Sequence, residues 1–251
     1  MAEIGGRMSV ENAIFQVGYL ERVALGTSYP AIAHHVRRLY SGLPPSTEVV
    51  LDATGLGSPV CEIFSGIGIS PIGVMITAGT AQSEDGKFLH VPKMLLISRL
   101  QALLHEGRLK IQKSLPEASV LIGELLDYRI QYTAAGHLTF NAREGRHDDL
   151  VLALAIACYR AAGDGVRYSG LMEYYRRVAG GGIADPQYFV GVDLGQARDP
   201  TAIAVVRRVE YPTPAEVRDP EFPTADADIV DLQPHEIAAP EFAVDREVEQ
   251  G

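Results

Sequence analysis

Cysteine is nearly absent from this chain: of 251 residues only Cys61 and Cys158 carry a thiol. They form no CxxC pair, so neither a zinc site nor a disulfide framework is suggested, and their apolar contexts predict buried thiols. No apolar run approaches the roughly 20 residues that a bilayer-spanning helix needs. The stretch MAEIGGRMSVE has neither the basic nor the apolar region of a signal peptide, which makes the cytoplasm the expected compartment. Internal repeats are lacking, and so is any excess of basic charge, with 22 Lys and Arg against 32 Asp and Glu.

That deficit of positive charge is unevenly distributed. From Tyr211 to Gly251 eleven acids face only Arg218 and Arg246, a balance of −9 out of the chain's −10. The same segment holds six prolines and no helical or strand periodicity, and reads as an acidic, disordered tail over 211–251. The remaining body is near neutral, so the net charge does not exclude a nucleic-acid partner. Arg37–Arg38, Arg108–Lys110–Lys113 and Arg143–Arg146 could face a polyanion or be scattered solvated charges. With 47% apolar and 22% charged residues, the body has the composition of a globular protein with a sizeable core.

Patterning predicts an alternating α/β order. Strands are expected at Ala13–Val23, Glu48–Ala53, Pro71–Thr77 and Leu109–Gln112, with a hairpin-type turn at SEDGK within Ala81–His90. Helices are expected at Tyr29–Ser41, Pro59–Ile67, Lys93–Glu106 (closed by Gly107), Pro116–Tyr128 and Asp149–Ala162. Arg129–Phe140 reads as a hairpin around Ala135–Gly136. Near the end, YFVGVDLGQARDPTAIAVV (188–206) rises to Asp193, turns through Gly195 and resumes as a strand from Thr201 to Val206.

Acids stand at three places where chemistry would want them. Asp193 ends the apolar strand FVGVD, Asp52 ends VVLD before ATGLG, and Asp148–Asp149 open the helix DDLVLALAIACYRAA. Each has a plain structural reading as well. Asp148 or Asp149 can cap a helix start, and Asp52 can form an Asx turn. Asp193 is harder to explain away, because a carboxylate ending a central apolar strand costs several kcal/mol unless its charge is compensated. Parallel strands ending in Asp193 and Asp52 would bring both acids to one sheet edge, and a helix beginning HDD packed on that sheet adds a third. Such a group repels itself unless cations neutralise it. Hard oxygen ligands suit Mg2+ or Mn2+, and two such ions about 3.5–4 Å apart can clamp an in-line phosphodiester displacement.

The segments GVDLGQARDPTA, VVLDATGLGSPV, HVPKMLLISRLQALL, TAAGHLTF and GRHDDLVLALAIAC resemble the nuclease domain of phage terminase large subunits over roughly residues 13–210. The resemblance implies an RNase H-like α/β fold, a mixed sheet with flanking helices, and a two-metal endonuclease cutting double-stranded DNA during genome packaging. By position, Asp193 matches the first-strand metal ligand shared by both ions, Asp52 the acid of the second motif, and Asp149 the acid that closes the site, with Asp148 beside it. Asp199 matches an additional acid sometimes placed near the metals. His147 and Lys93 fall inside matching motifs, where contact with DNA or with the metal ligands is the role they suggest. The implied partners are DNA and a separate terminase motor, small terminase subunit or portal, in a bacterial host cytoplasm and not on a membrane.

The sequence departs from that pattern twice. No GxxxxGK[ST] occurs in it, so the packaging ATPase of the family is expected to be missing. In the family the GVDLG strand comes first, followed by the strand resembling AIFQVGYLERV; here it follows the HDD helix, as in a circular permutation. The first two strands of an RNase H-like sheet form an antiparallel hairpin, and opening their loop would leave termini at an exposed tip. The 25 residues 163–187, with a short helix expected near 170–178, form the linker; fully extended they reach about 80 Å at ~3.3 Å each, enough to join the old ends. Other readings of the same acids are a resolvase or transposase, an actin-like ATPase, or a non-catalytic DNA-binding or assembly remnant. The actin-like reading needs a second domain and a second phosphate loop.

Overall fold

The computed structural model describes residues 13–127, 129–132, 138–141, 148–163, 188–195 and 199–210. In chain order these form β1 (Ala13–Val23), α1 (Tyr29–Ser41), β2 (Glu48–Asp52), α2 (Ser58–Gly66) and β3 (Ile72–Thr77). There follow β4 (Ser83–Glu84), β5 (Phe88–Pro92), α3 (Lys93–His105), β6 (Leu109–Ile111) and α4 (Ala118–Asp127). The remainder are β7 (Arg129–Tyr132), β8 (Leu138–Asn141), α5 (Asp149–Ala161), β9 (Tyr188–Asp193) and β10 (Thr201–Glu210). The expected linker beyond Gly163, the acidic tail, Ala135–Gly136, Arg143–Arg146 and His147 lie outside the described residues.

Eight strands make one mixed sheet in the order β4-β5-β3-β2-β9-β10-β1-β6, and β7 and β8 pair separately. β9 runs parallel to β2, β2 to β3 and β3 to β5, whereas β9, β10 and β1 are successive antiparallel neighbours. The continuous apolar runs VVL and FVGV follow from this: both strands are central and covered on both faces. Val49, Val50, Leu51, Phe189, Val190 and Val192 are all buried. On one face α3, α4 and α5 complete the core around Leu100, Leu121 and Leu154; on the other, α1 and α2 pack Ile32, Val36 and Phe64 against Leu51 and Val192. Helix α5 is apolar all round because it lies under other helices as well as on the sheet, and even Tyr159 and Cys158 are buried.

At Gly191 strand β9 and helix α5 approach backbone to backbone. A Cβ on Gly191 of β9 would stand 2.0 Å from the Ala153 carbonyl oxygen and 3.0 Å from the Ala157 Cβ. Glycine at this position is what lets α5 lie directly on β9, which sets the height of the helix over the sheet.

Two expectations about strands change. β10 continues four residues past Val206 to Glu210, because its ladder with β1 extends to the pair Ala13↔Glu210. The charges of Arg207 and Arg208 hide that extension in the sequence, although Arg208 folds over the Phe189 ring and donates to the Ala161 carbonyl. The antiparallel neighbour of β1 is β10, and not the strand carrying Asp193. Of the two thiols, Cys158 is buried as expected, and burial pushes its ionisation far up; Cys61 is only partly covered and is raised less. Ellman's reagent should therefore react slowly with Cys61 and not with Cys158 in the native protein, and with both in denaturant. Two equivalents released rapidly without denaturant would contradict this packing.

Candidate functional site

Register brings the sequence-marked acids into one row. Arg22 pairs with Ala202 and Ala202 with Asp193 across β1, β10 and β9. On the other side Leu51 pairs with Val192 in parallel, so the next residue along, Asp52, comes beside Asp193. Paired residues direct their side chains to the same sheet face. That face is the one covered by α5, as Ala202 and Val74, the β3 partner of Asp52, show by belonging to the core beneath it.

Asp193 is 7% exposed, and its carboxyl group shares a hydrogen bond with that of Asp52. Burial is the main reason its pKa stands well above the ordinary aspartate value; the negative charge of Asp52 and that hydrogen bond raise it further, then Asp149 and Asp148. Asp52 Oδ1 also accepts the Thr54 N–H at 2.8 Å. The Asx-turn reading of Asp52 thus holds, and the turn fixes the carboxylate that faces Asp193.

The start of α5 is built differently from a capped helix. Asp148 occupies the cap position but makes no side-chain cap hydrogen bond, which corrects the capping expectation for this residue. Its carboxylate instead accepts from Lys93 Nζ at 2.8 Å, the lysine being the first residue of α3. The Val151 N–H in the first turn of α5 donates to Glu124 Oε2 of α4, at 3.1 Å. Glu124 Oε1 accepts from Arg22 Nη2, and the same Nη2 lies 3.6 Å from Asp149 Oδ2. Asp149 is 4% exposed. Burial raises the Glu124 carboxyl to about 7, against the lowering effects of Arg22 and the Val151 hydrogen bond; Asp149 and Asp148 push it upward.

Asp52, Asp148, Asp149, Asp193 and Glu124 therefore meet around one sheet edge with Arg22 and Lys93 among them. Asp199 stands exposed in the loop that enters β10, and His147 lies outside the described residues. Among the described residues no three His, Cys, Asp or Glu side chains stand at the spacing of a finished metal shell. The donor chemistry nevertheless suits a hard cation: all the acids are oxygen ligands, and burial with the neighbouring negative charges makes Asp193 hard to ionise without one.

Arg22 and Glu124 escaped the reading of the sequence, yet each left a signal. In ASVLIGELLD the first acid, Glu124, falls three residues after Leu121 and one before Leu125, both buried, so helical spacing turns it inward. Arg22 lies two residues after the buried Leu20 on β1, so strand alternation sends it to the same face. Basic groups elsewhere have local roles, Arg108 donating to the Ala13 carbonyl and to Glu106, and Arg38 to His35. Among the described residues no helix is long and apolar enough to cross a membrane.

No family model matches the chain, and no solved structure matches it. Over 121 residues it is 27% identical to the terminase large subunit of Thermus phage G20c, and equally to that of Thermus virus P23-45. In both cases the match covers 48% of this chain and 22% of the relative, so the alignment spans about a fifth of the length of the curated relatives. These similarities support a distant, terminase-related relationship.

Proposed function

We propose that this chain is a metal-dependent DNA endonuclease of the terminase large-subunit type, with an RNase H-like sheet in circularly permuted order. The observation that carries the reading is the buried carboxyl pair Asp193–Asp52 at the end of two adjacent parallel strands, with Asp149 delivered over it by α5. A protein gains no stability from crowding acids in this way; a cation-binding function accounts for them. The similarity to two terminase large subunits supports DNA as the phosphodiester substrate. The sheet order β2-β9-β10-β1, with the helix carrying Asp149 packed across these strands, supports the permuted reading.

In this reading Asp193, Asp52 and Asp149 would hold the Mg2+ or Mn2+ ions. Bound there, the ions would activate water and stabilise the charge developing on the phosphate. The protein's own part is to keep the acids in place: the Thr54 turn aims Asp52, and Lys93 holds Asp148. Contact with phosphates rather than base edges gives little sequence preference. The whole-protein partners of the family, a packaging motor, a small subunit and a portal, belong to the same proposal.

A plasmid-nicking assay tests it. Supercoiled DNA should be nicked or degraded with Mn2+ or Mg2+, and EDTA should stop the reaction. Because these 251 residues contain no GxxxxGK[ST], the same preparation should hydrolyse no ATP with or without DNA. Intact plasmid at saturating Mn2+ would remove the nuclease reading, and ATPase activity that co-purifies with the chain would revive the actin-like one.

A further inference from the structure

Arg22 and Glu124 are marked by no motif, and an ordinary account of them is that two partly buried opposite charges neutralise each other. The geometry asks for more. Glu124 divides its two oxygens, Oε1 accepting from Arg22 and Oε2 from the Val151 N–H. The second contact performs for α5 the task that a cap side chain normally performs, while the residue at the cap, Asp148, is turned to Lys93. Arg22 Nη2 sits between Glu124 and Asp149, in the same sheet row as Asp193. The first turn of α5 is therefore held from β1, α3 and α4 rather than by its own sequence.

We infer that Arg22 and Glu124 are positioning residues that together fix the Asp149 carboxylate relative to Asp193 for a divalent cation. The inference rests on the metal-dependent nuclease reading of this site. Glu124 anchors the backbone two residues beyond Asp149, and it draws Arg22 far enough from Asp149 that the guanidinium approaches only to 3.6 Å. Without the Glu124 oxygen that accepts from it, Arg22 would pair fully with Asp149 and compete with a cation for the same oxygens. Neither residue touches substrate in this scheme; both act through Asp149.

The test uses the full chain with Mn2+ alone, measured by isothermal titration calorimetry, alongside thermal unfolding in EDTA. Glu124→Gln retains an oxygen for the Val151 N–H, so unfolding in EDTA should shift little. Its Mn2+ affinity should fall about 10–100-fold, the range found when partners of metal ligands are removed. Nicking by this variant should recover as Mn2+ is raised. Should Glu124→Gln not fold, Arg22→Lys keeps the charge and loses only the planar fork, and a smaller loss of Mn2+ affinity in the same direction is expected. If the folded variant binds Mn2+ as wild type does, the pair is structural only and the inference fails while the nuclease reading stands. A wild-type protein that binds no Mn2+ overturns both.

Discussion

Asp193→Asn should abolish DNA cleavage and at the same time make the metal-free protein more stable at neutral pH. Loss of cleavage follows if Asp193 is the ligand shared by both ions; removing even an outer partner of a ligand costs about 10–100-fold, and a shared ligand should cost more. The gain in stability follows from the raised pKa of the buried carboxyl, which is held up by burial, by Asp52 and by the acids of α5. Asp193 binds its proton more tightly in the folded than in the unfolded chain. Its contribution to stability is complete below the ordinary aspartate value of 3.8 and is lost as pH rises through the folded value. At neutral pH the wild-type chain therefore carries this cost and an asparagine does not, while its amide can still donate to Asp52. A higher Tm than that of the wild type is expected in EDTA at pH 7. The difference should vanish near about pH 4. Saturating Mn2+ should reverse it, because only the wild type gains binding energy. Thermal unfolding across pH with EDTA or Mn2+ measures all three; a variant less stable than wild type at pH 7 in EDTA would show that the carboxylate is compensated by something other than a cation.

Gly191→Ala should be among the most damaging single-methyl additions in the protein. The new Cβ would lie 2.0 Å from the Ala153 carbonyl oxygen, a backbone atom of α5 that no rotamer change can move away. The helix must lift from β9 or the strand must bend, at a cost of about 3 kcal/mol or more, the upper end for overpacking. That corresponds to roughly 6–12 °C in Tm for a domain of this size. Because α5 begins at Asp149, lifting it also moves the third acid from Asp193, and Mn2+ binding should weaken in parallel. Gly18→Ala in β1 is the control: nothing lies within 4 Å of its Cβ, and removing a strand glycine should be neutral or mildly stabilising. Equal effects at the two positions would contradict the close approach of α5 to β9.

The elements were legible where one physical pattern dominated. VVLD and FVGVD could be read as buried parallel strands because central strands need apolar residues on both faces, and their acids stand out against that background. The strongly apolar run of DDLVLALAIACYRA likewise announced a helix packed on the sheet. Tertiary pairing decided what could not be read. The last residues of β10 are charged and belong to the strand only because β1 is there to pair with them. Asp148 looked like a cap because cap preference is a local rule, and it was overridden by Lys93 arriving from α3 and by Glu124 arriving from α4. Arg22 and Glu124 are separated by 102 positions, and no local pattern reports a pair made across such a distance.

Anomalous diffraction from crystals of the full chain soaked in Mn2+ tests the central claim most directly. The account predicts manganese peaks bounded by the carboxylates of Asp193, Asp52 and Asp149, absent from crystals of Asp193→Asn. Manganese bound elsewhere, with Asp193 and Asp52 touching no manganese, would contradict it.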